Sequence, residues 1–338
     1  MVTAKFLYEK LKNVRVVNPI CEFTEERCES LIPTIERIEE LKKERNAIIL
    51  AHNYVAPEIL YGVADYTGDS YGLAKAALKS DAKTIVFAAV DFMAQTAKIL
   101  NPGKTVLNPN TNGGCSLAES IEAGDVVRLR EKFPEFTFIC YINTTAEVKA
   151  ECDVCVTSSN VYKIIENIEN QNIYFLPDRL MGENVKKYLD EKGVQKNLQI
   201  YNGVCYVHEE YQPESIELIR ASHPGTEVLV HPECKPEVVQ KADFVGSTTM
   251  MLNRVAESSA EKFFLLTECG LTDVLRAEHP EKNFVGSCVL CRYMKSNSLS
   301  DVLRVLETPL PQDTVEISPN VIERAKLCID QMFYYAEK

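Results

Sequence analysis

No stretch of this 338-residue chain approaches the roughly 20 consecutive apolar residues that cross a bilayer as a helix, which argues against a membrane-spanning protein. A basic stripe is also missing. The 37 basic and 49 acidic side chains leave a net charge of −12 spread along the chain, and nucleic acid is an unsuitable partner without the clustered cations that neutralise phosphate backbones. The segment Met1 to Asn18 mixes lysines with single apolar residues and lacks an apolar h-region, so it does not read as a secretory leader and a cytoplasmic location is expected. The net negative charge still permits an anionic small substrate, because helix N-termini, a metal ion or one lysine can make a pocket locally positive.

The composition that remains is that of a folded protein: 46% apolar and 25% charged residues are ordinary for globular domains, and the length allows two or three of them. After a helical stretch from about Pro33 to Arg45, short apolar runs alternate with helical patterns, the pattern of repeated βαβ units and parallel sheets. The clearest strand candidates are Ala47 to Ala51, Thr84 to Phe87, Thr137 to Tyr141, Val154 to Thr157, Ile173 to Leu176, Val228 to Val230, Phe244 to Gly246 and Phe263 to Leu266. The fold class is therefore α/β with parallel sheets flanked by helices.

Open parallel sheets bind ligands beyond the carboxyl ends of their strands, and there the sequence repeatedly places polar residues. His52-Asn53-Tyr54, Tyr141-Ile142-Asn143, Thr157-Ser158-Ser159-Asn160 and His231-Pro232-Glu233 each follow an apolar run. Gly68-Asp69-Ser70, Thr157-Ser158-Ser159 and Gly246-Ser247-Thr248 make three hydroxyl-bearing helix starts, one per third of the chain. Ordinary N-capping accounts for any one of them; three at matching positions point to anion binding.

Twelve cysteines in a reducing compartment are not expected to form a disulfide framework. Cys115, Cys205 and Cys291 stand 90 and 86 residues apart, which suits one ligand per repeat of a three-part array. Cys21, Cys28, Cys140, Cys234, Cys269 and Cys328 are expected to pack in cores, where free cysteine is common. A rival set is Cys152-x-x-Cys155 with Cys288-x-x-Cys291, which has the spacing of a four-cysteine zinc site. Against it, a strand through Val154-Cys155-Val156 is expected to point Cys152 and Cys155 to opposite faces. Cys288 and Cys291 lie in a glycine-containing loop and are able to chelate or to form a reversible disulfide. From the residues alone, a cluster-dependent hydro-lyase and a zinc or redox structural protein both stay open.

Taken together, Ala51-His52-Asn53-Tyr54, Gly68-Asp69-Ser70, Val90-Asp91-Phe92-Met93-Ala94, Cys115-Ser116-Leu117, Tyr141-Ile142-Asn143-Thr144, Leu176-Pro177-Asp178, Gly203-Val204-Cys205-Tyr206-Val207-His208, His231-Pro232-Glu233-Cys234 and Cys291-Arg292-Tyr293-Met294-Lys295 resemble the quinolinate synthase family over nearly the whole chain. Departures are Gln95, where a glutamate is more usual, and Ala88-Ala89, where a glycine is expected. The resemblance implies three similar domains around a pseudo-threefold axis, divided as 1–115 (completed by 292–338), 116–205 and 206–291. It further implies one [4Fe-4S] cluster on Cys115, Cys205 and Cys291, with an open iron acting as a Lewis acid.

The activity so implied is a transferase reaction of NAD biosynthesis, in which iminoaspartate and dihydroxyacetone phosphate condense to quinolinate with loss of phosphate and two waters. An aspartate oxidase or aspartate dehydrogenase is the transient partner that would supply the imine. By the same resemblance, His52, Ser70, Tyr141, Ile142, Asn143, Ser158, His208, His231, Pro232, Glu233 and Thr248 bind substrate, and Glu233, His52, Tyr54 and Tyr141 serve catalysis. A histidine and a buried carboxylate are suited to move protons near neutral pH, and tyrosine to donate them. His223 and His279, each followed by proline, read as loop residues.

Overall fold

A computed structural model describes residues 2–14, 22–110 and 112–338; Cys21 and the last residues of the Met1 to Asn18 stretch lie outside them. The described residues form three four-stranded, all-parallel sheets flanked by helices. The first contains β1 (Ala47–His52), β2 (Tyr66–Gly68), β3 (Thr84–Ala88) and β4 (Thr105–Leu107), in the order β2-β1-β3-β4. The second contains β5 (Thr137–Tyr141), β6 (Val154–Val156), β7 (Asn172–Leu176) and β8 (Asn197–Ile200), in the order β6-β5-β7-β8. The third contains β9 (Thr226–Val230), β10 (Phe244–Val245), β11 (Lys262–Leu266) and β12 (Asn283–Phe284), in the order β10-β9-β11-β12. One strand order is thus used three times.

The repetition extends to single hydrogen bonds. Asp65, Asp153 and Asp243 each precede the second strand of their sheet, and each carboxylate accepts the backbone N–H of the first strand at Ile49, Phe138 and Val228, at 2.8, 2.7 and 2.8 Å. These bonds fix the register of an otherwise short edge strand, because an aspartate there satisfies a backbone donor just before the ladder begins. The central strands are nearly continuous apolar runs, as sheets covered on both faces require: Ile49, Leu50, Phe138, Ile139, Phe175, Val228 and Phe263 are fully buried.

All eight predicted strands form, within a residue or two at their ends. The four that sequence periodicity did not mark, β2, β4, β8 and β12, are edge strands of two to four residues, too short and too exposed to carry an apolar signal. Helix Leu299–Glu307 returns to pack on helix Glu25–Glu44 and β3. The last helix, Pro319–Glu337, lies across helices Ala146–Ala150 and Val161–Asn167 and strand β6. No helix among the described residues is long and apolar enough to cross a membrane.

Candidate active site

Each sheet delivers one cysteine by the same device. The helix that follows the third strand of each sheet donates a backbone N–H to the segment arriving after the fourth: Asp91 to the Gly113 carbonyl (2.7 Å), Arg179 to Gly203 (2.7 Å) and Cys269 to Val289 (3.2 Å). Two residues beyond those acceptors stand Cys115, Cys205 and Cys291. All three are half-buried free thiols lining one cavity. Each sulfur accepts backbone N–H bonds from the turn that follows it: Cys115 from Leu117 and Ala118, Cys205 from His208, Cys291 from Tyr293 and Met294. Burial is the leading cause that raises all three thiols, Cys115 to about 12. Without a bound cation they are neutral; with a soft metal the same N–H donors stabilise thiolates.

The carboxyl ends of the strands supply the rest of the cavity wall. His52 ends β1, Tyr141 ends β5, and His231 and Glu233 follow β9. Tyr141 donates its hydroxyl to Glu233 Oε1 at 2.6 Å. His208 Nδ1 lies 3.0 Å from Glu233 Oε2 and 3.3 Å from Cys205 Sγ, while its Nε2 meets Thr267 Oγ1 at 3.0 Å. Tyr54 shares a 2.6 Å hydrogen bond with that same Thr267 hydroxyl. The imidazoles of His208 and His231 stack with centroids 4.5 Å apart.

Glu233 is only 3% exposed. Burial alone favours its protonated form, but the charge and hydrogen bond of His208, with the hydrogen bond from Tyr141, outweigh burial and hold the carboxylate ionised. The two histidines behave oppositely. Burial lowers His52 to about 4, and burial together with the nearby His208 lowers His231 to about 3, so both are neutral at pH 7. In each, Nδ1 accepts the backbone N–H two residues on, from Tyr54 at 3.2 Å and from Glu233 at 3.4 Å. That leaves Nε2–H as a neutral donor in both rings. Burial raises Tyr54 and Tyr141 well above their ordinary values, so both remain proton donors.

Ser70, Ser158 and Thr248 all line the cavity. Ser70 and Thr248 are the first residues of ten-residue helices. Ser158 differs: its helix begins at Val161, and Asn160 uses its side chain to accept the Thr157 N–H at 2.7 Å. Ile142 and Asn143 also face the cavity, whereas Pro232 does not line it; the Pro232 carbonyl accepts a bond from Asn184 at 2.9 Å. His223 and His279 sit at helix C-termini away from the cavity.

The sequence reading passed over Glu268 and Lys295. Glu268 is 1% exposed; it accepts the N–H of Cys291 at 3.1 Å and of Gly270 at 2.6 Å, with Lys295 Nζ at 3.5 Å. Lys295 also donates to the Tyr54 carbonyl at 2.7 Å. The signal was present: Thr267-Glu268 follows an apolar strand just as His52 and His231 do. Glu119 plays the matching part at Cys115, accepting its N–H at 3.2 Å.

Two cysteine expectations are corrected. Cys269 is not a free core thiol but forms a disulfide with Cys288, with Cα atoms 5.2 Å apart. The parallel bridge between Glu268 and Val289, with the Cys269 N–H on the Val289 carbonyl, brings the two segments side by side and Cys269 within reach of Cys288, which also removes Cys288 from any chelate with Cys291. Cys152 and Cys155 do not point apart. The strand starts only at Val154, Cys152 lies just before the bend at Asp153, and both thiols are near enough to Cys140 to influence its titration.

Comparison with known proteins adds a family. Residues 36–334 match the family profile described as "Quinolinate synthetase A protein". Quinolinate synthase 2 of Mesorhizobium japonicum is 42% identical over 325 residues, 94% of this chain and 98% of that protein. The quinolinate synthase of Xylella fastidiosa is 45% identical over 282 residues, 83% of this chain and 82% of its own length. That of Agrobacterium fabrum is 44% identical over 298 residues, 88% and 84% of the two chains.

Proposed function

This chain belongs to the quinolinate synthetase A family, and from that premise we propose that it condenses iminoaspartate with dihydroxyacetone phosphate to quinolinate, phosphate and two waters, in the cytoplasm. The observation that carries the reading is the convergence of Cys115, Cys205 and Cys291, one from each sheet, on the cavity that holds the Tyr141–Glu233–His208 network. These three cysteines would hold one [4Fe-4S] cluster. Three soft donors with their own N–H bonds suit such a group, and a cluster so held supplies a Lewis-acidic iron with an open position. The division into 1–115 with 292–338, 116–205 and 206–291 follows from this reading, since a cluster cysteine then closes each repeat.

The protein's own groups divide the remaining work. Both substrates are anions, and the hydroxyls of Ser70, Ser158 and Thr248, the helix starts beside them and the Nε2–H groups of His52 and His231 are donors for carboxylate and phosphate oxygens. Asn143 lies two residues beyond Tyr141 and grips the same ligand. Glu233, kept ionised by His208, is the base for the protons shed in enamine formation, isomerisation and dehydration, with Tyr141 passing protons to and from it across their short hydrogen bond. Tyr54, tied to Thr267, donates to a substrate oxygen. Small reactive intermediates also need a cavity closed to water, and the buried state of His52, Tyr141, His231 and Glu233 suits that need.

Anaerobic purification with iron and sulfide analysis, alongside an assay for quinolinate, tests the proposal. Wild-type protein is expected to carry about four irons per chain, lost together with activity in Cys115→Ser, Cys205→Ser and Cys291→Ser. Iron that persists in those variants, or an iron-loaded protein that makes no quinolinate from the two substrates, would overturn it.

A further inference from the structure

Away from the cavity, four more cysteines converge in the second sheet. Cys140 in β5 and Cys155 in β6 are register partners, so their side chains stand side by side on one face of the sheet. Cys152 enters from just before the bend that precedes β6, and Cys328 from the helix Pro319–Glu337 that covers this face. All four are buried free thiols. Cys140 Sγ lies 3.6 Å from Cys328 Sγ, and Cys152 and Cys155 are near enough to Cys140 for each to influence the other's titration.

Two sulfurs on a tetrahedral zinc, with Zn–S near 2.3 Å, stand about 3.7 Å apart. One pair is already at that spacing. The four sulfurs are not all within 4.8 Å of one another, as the ligand atoms of Cys205, His208 and Glu233 are, so closure on an ion has to draw the other sulfurs inward by side-chain rotation.

A second observation points to missing negative charge beside these thiols. Lys149 is 0% exposed, and its ammonium donates to the carbonyls of Ile142 and Thr144 and faces the ring of Phe92. Among the described residues it meets no carboxylate. Its charge favours the thiolate forms of Cys140 and Cys155. A buried cation without a counter-charge is costly, and a metal–thiolate centre next to it supplies that charge.

We propose that Cys140, Cys152, Cys155 and Cys328 form a second, structural metal site that takes one zinc ion and ties the C-terminal helix to the second sheet. Four S–H bonds give way to four Zn–S bonds and four protons are released, with no change of oxidation state. The resulting centre carries two negative charges, one of which offsets the buried charge of Lys149. The site shares no residue with the catalytic cavity, so its fate is independent of the function proposed above.

The test uses the full chain with Cys115, Cys205 and Cys291 replaced by serine, which removes the competing thiols of the cavity. It is purified under reductant, dialysed against EDTA and analysed for zinc, then exchanged with Co²⁺ and read optically. About one zinc per chain is expected, with a thiolate-to-cobalt charge-transfer band and intense tetrahedral ligand-field bands. Adding Cys152→Ser or Cys328→Ser should lower zinc at least fivefold and abolish the band. Zinc below about a tenth per chain, with no cobalt band after incubation with equimolar ion, would overturn the site. Zinc unchanged by both added substitutions would overturn it equally. Should Cys328→Ser fail to fold, the cobalt spectrum of the parent chain decides the matter alone.

Discussion

Replacing Glu233 with glutamine preserves side-chain volume and one carbonyl oxygen but removes the charge at the centre of the cavity. Tyr141 still has an acceptor at the position that is now 2.6 Å from its hydroxyl, while His208 Nδ1, 3.0 Å from the other oxygen, meets an amide in place of a carboxylate. Each charge-assisted hydrogen bond so weakened is worth about 1.5–3 kcal/mol. Loss of a general base costs about 10²–10⁴ in rate, which corresponds to about 3–5 kcal/mol of barrier. We therefore expect kcat/KM to fall by that factor while iron per chain is retained, because Glu233 is not one of the three cysteine ligands. The assay measures quinolinate from freshly generated iminoaspartate and dihydroxyacetone phosphate under anaerobic conditions, with iron determined on the same sample. Tyr141→Phe, which removes one partner of the carboxylate but not the base, should lose less, about tenfold. A folded, iron-loaded Glu233→Gln enzyme retaining more than about a tenth of wild-type activity would refute the role of this carboxylate.

Cys288→Ser should keep its iron and Cys291→Ser should lose it, since Cys288 is bonded to Cys269 and lies off the cavity wall; iron loss in both would redraw the ligand set. Gly203→Ala puts a methyl group 2.5 Å from Ser120 Oγ and 2.7 Å from the Pro177 carbonyl, so thermal unfolding should register a loss of about 1–3 kcal/mol. Iron retention should also drop, because the displaced backbone leads to Cys205. His52 makes stability depend on pH in a definite direction. Its folded value of about 4 lies below the unfolded value near 6.5, so the unfolded chain binds the proton first. The contribution is complete above about pH 6.5 and is lost as pH falls towards 4, roughly 3 kcal/mol at about 1.4 kcal/mol per pKa unit. Urea midpoints at two pH values for wild type and His52→Gln measure it, and equal acid losses in the two proteins would count against the burial argument.

Much of the site was legible because parallel sheets place function at strand ends, and His52, Tyr141, His231 and Glu233 stand just where apolar runs stop. Glu268 obeys the same rule and was passed over, while Lys295 follows no strand and is brought in only by its bonds to Glu268 and Tyr54. The central strands were readable from burial on both faces. Of the edge strands, β6 and β10 were readable, whereas β2, β4, β8 and β12 span two to four residues each and owe their pairing to the neighbouring strand and to register bonds such as that from Ile49 to Asp65.

The amino-acid order by itself determined the α/β class and the residue types available for anion binding and proton transfer, because each depends on local periodicity or side-chain chemistry. Which of the other cysteines meet was decided only by the tertiary structure. Cys269 faces Cys288 because the Glu268–Val289 bridge aligns two chain segments, and Cys328 reaches Cys140 from 188 residues away because the last helix folds over β5 and β6. Separation along the chain carries no information about these two meetings; the packing of elements in space does.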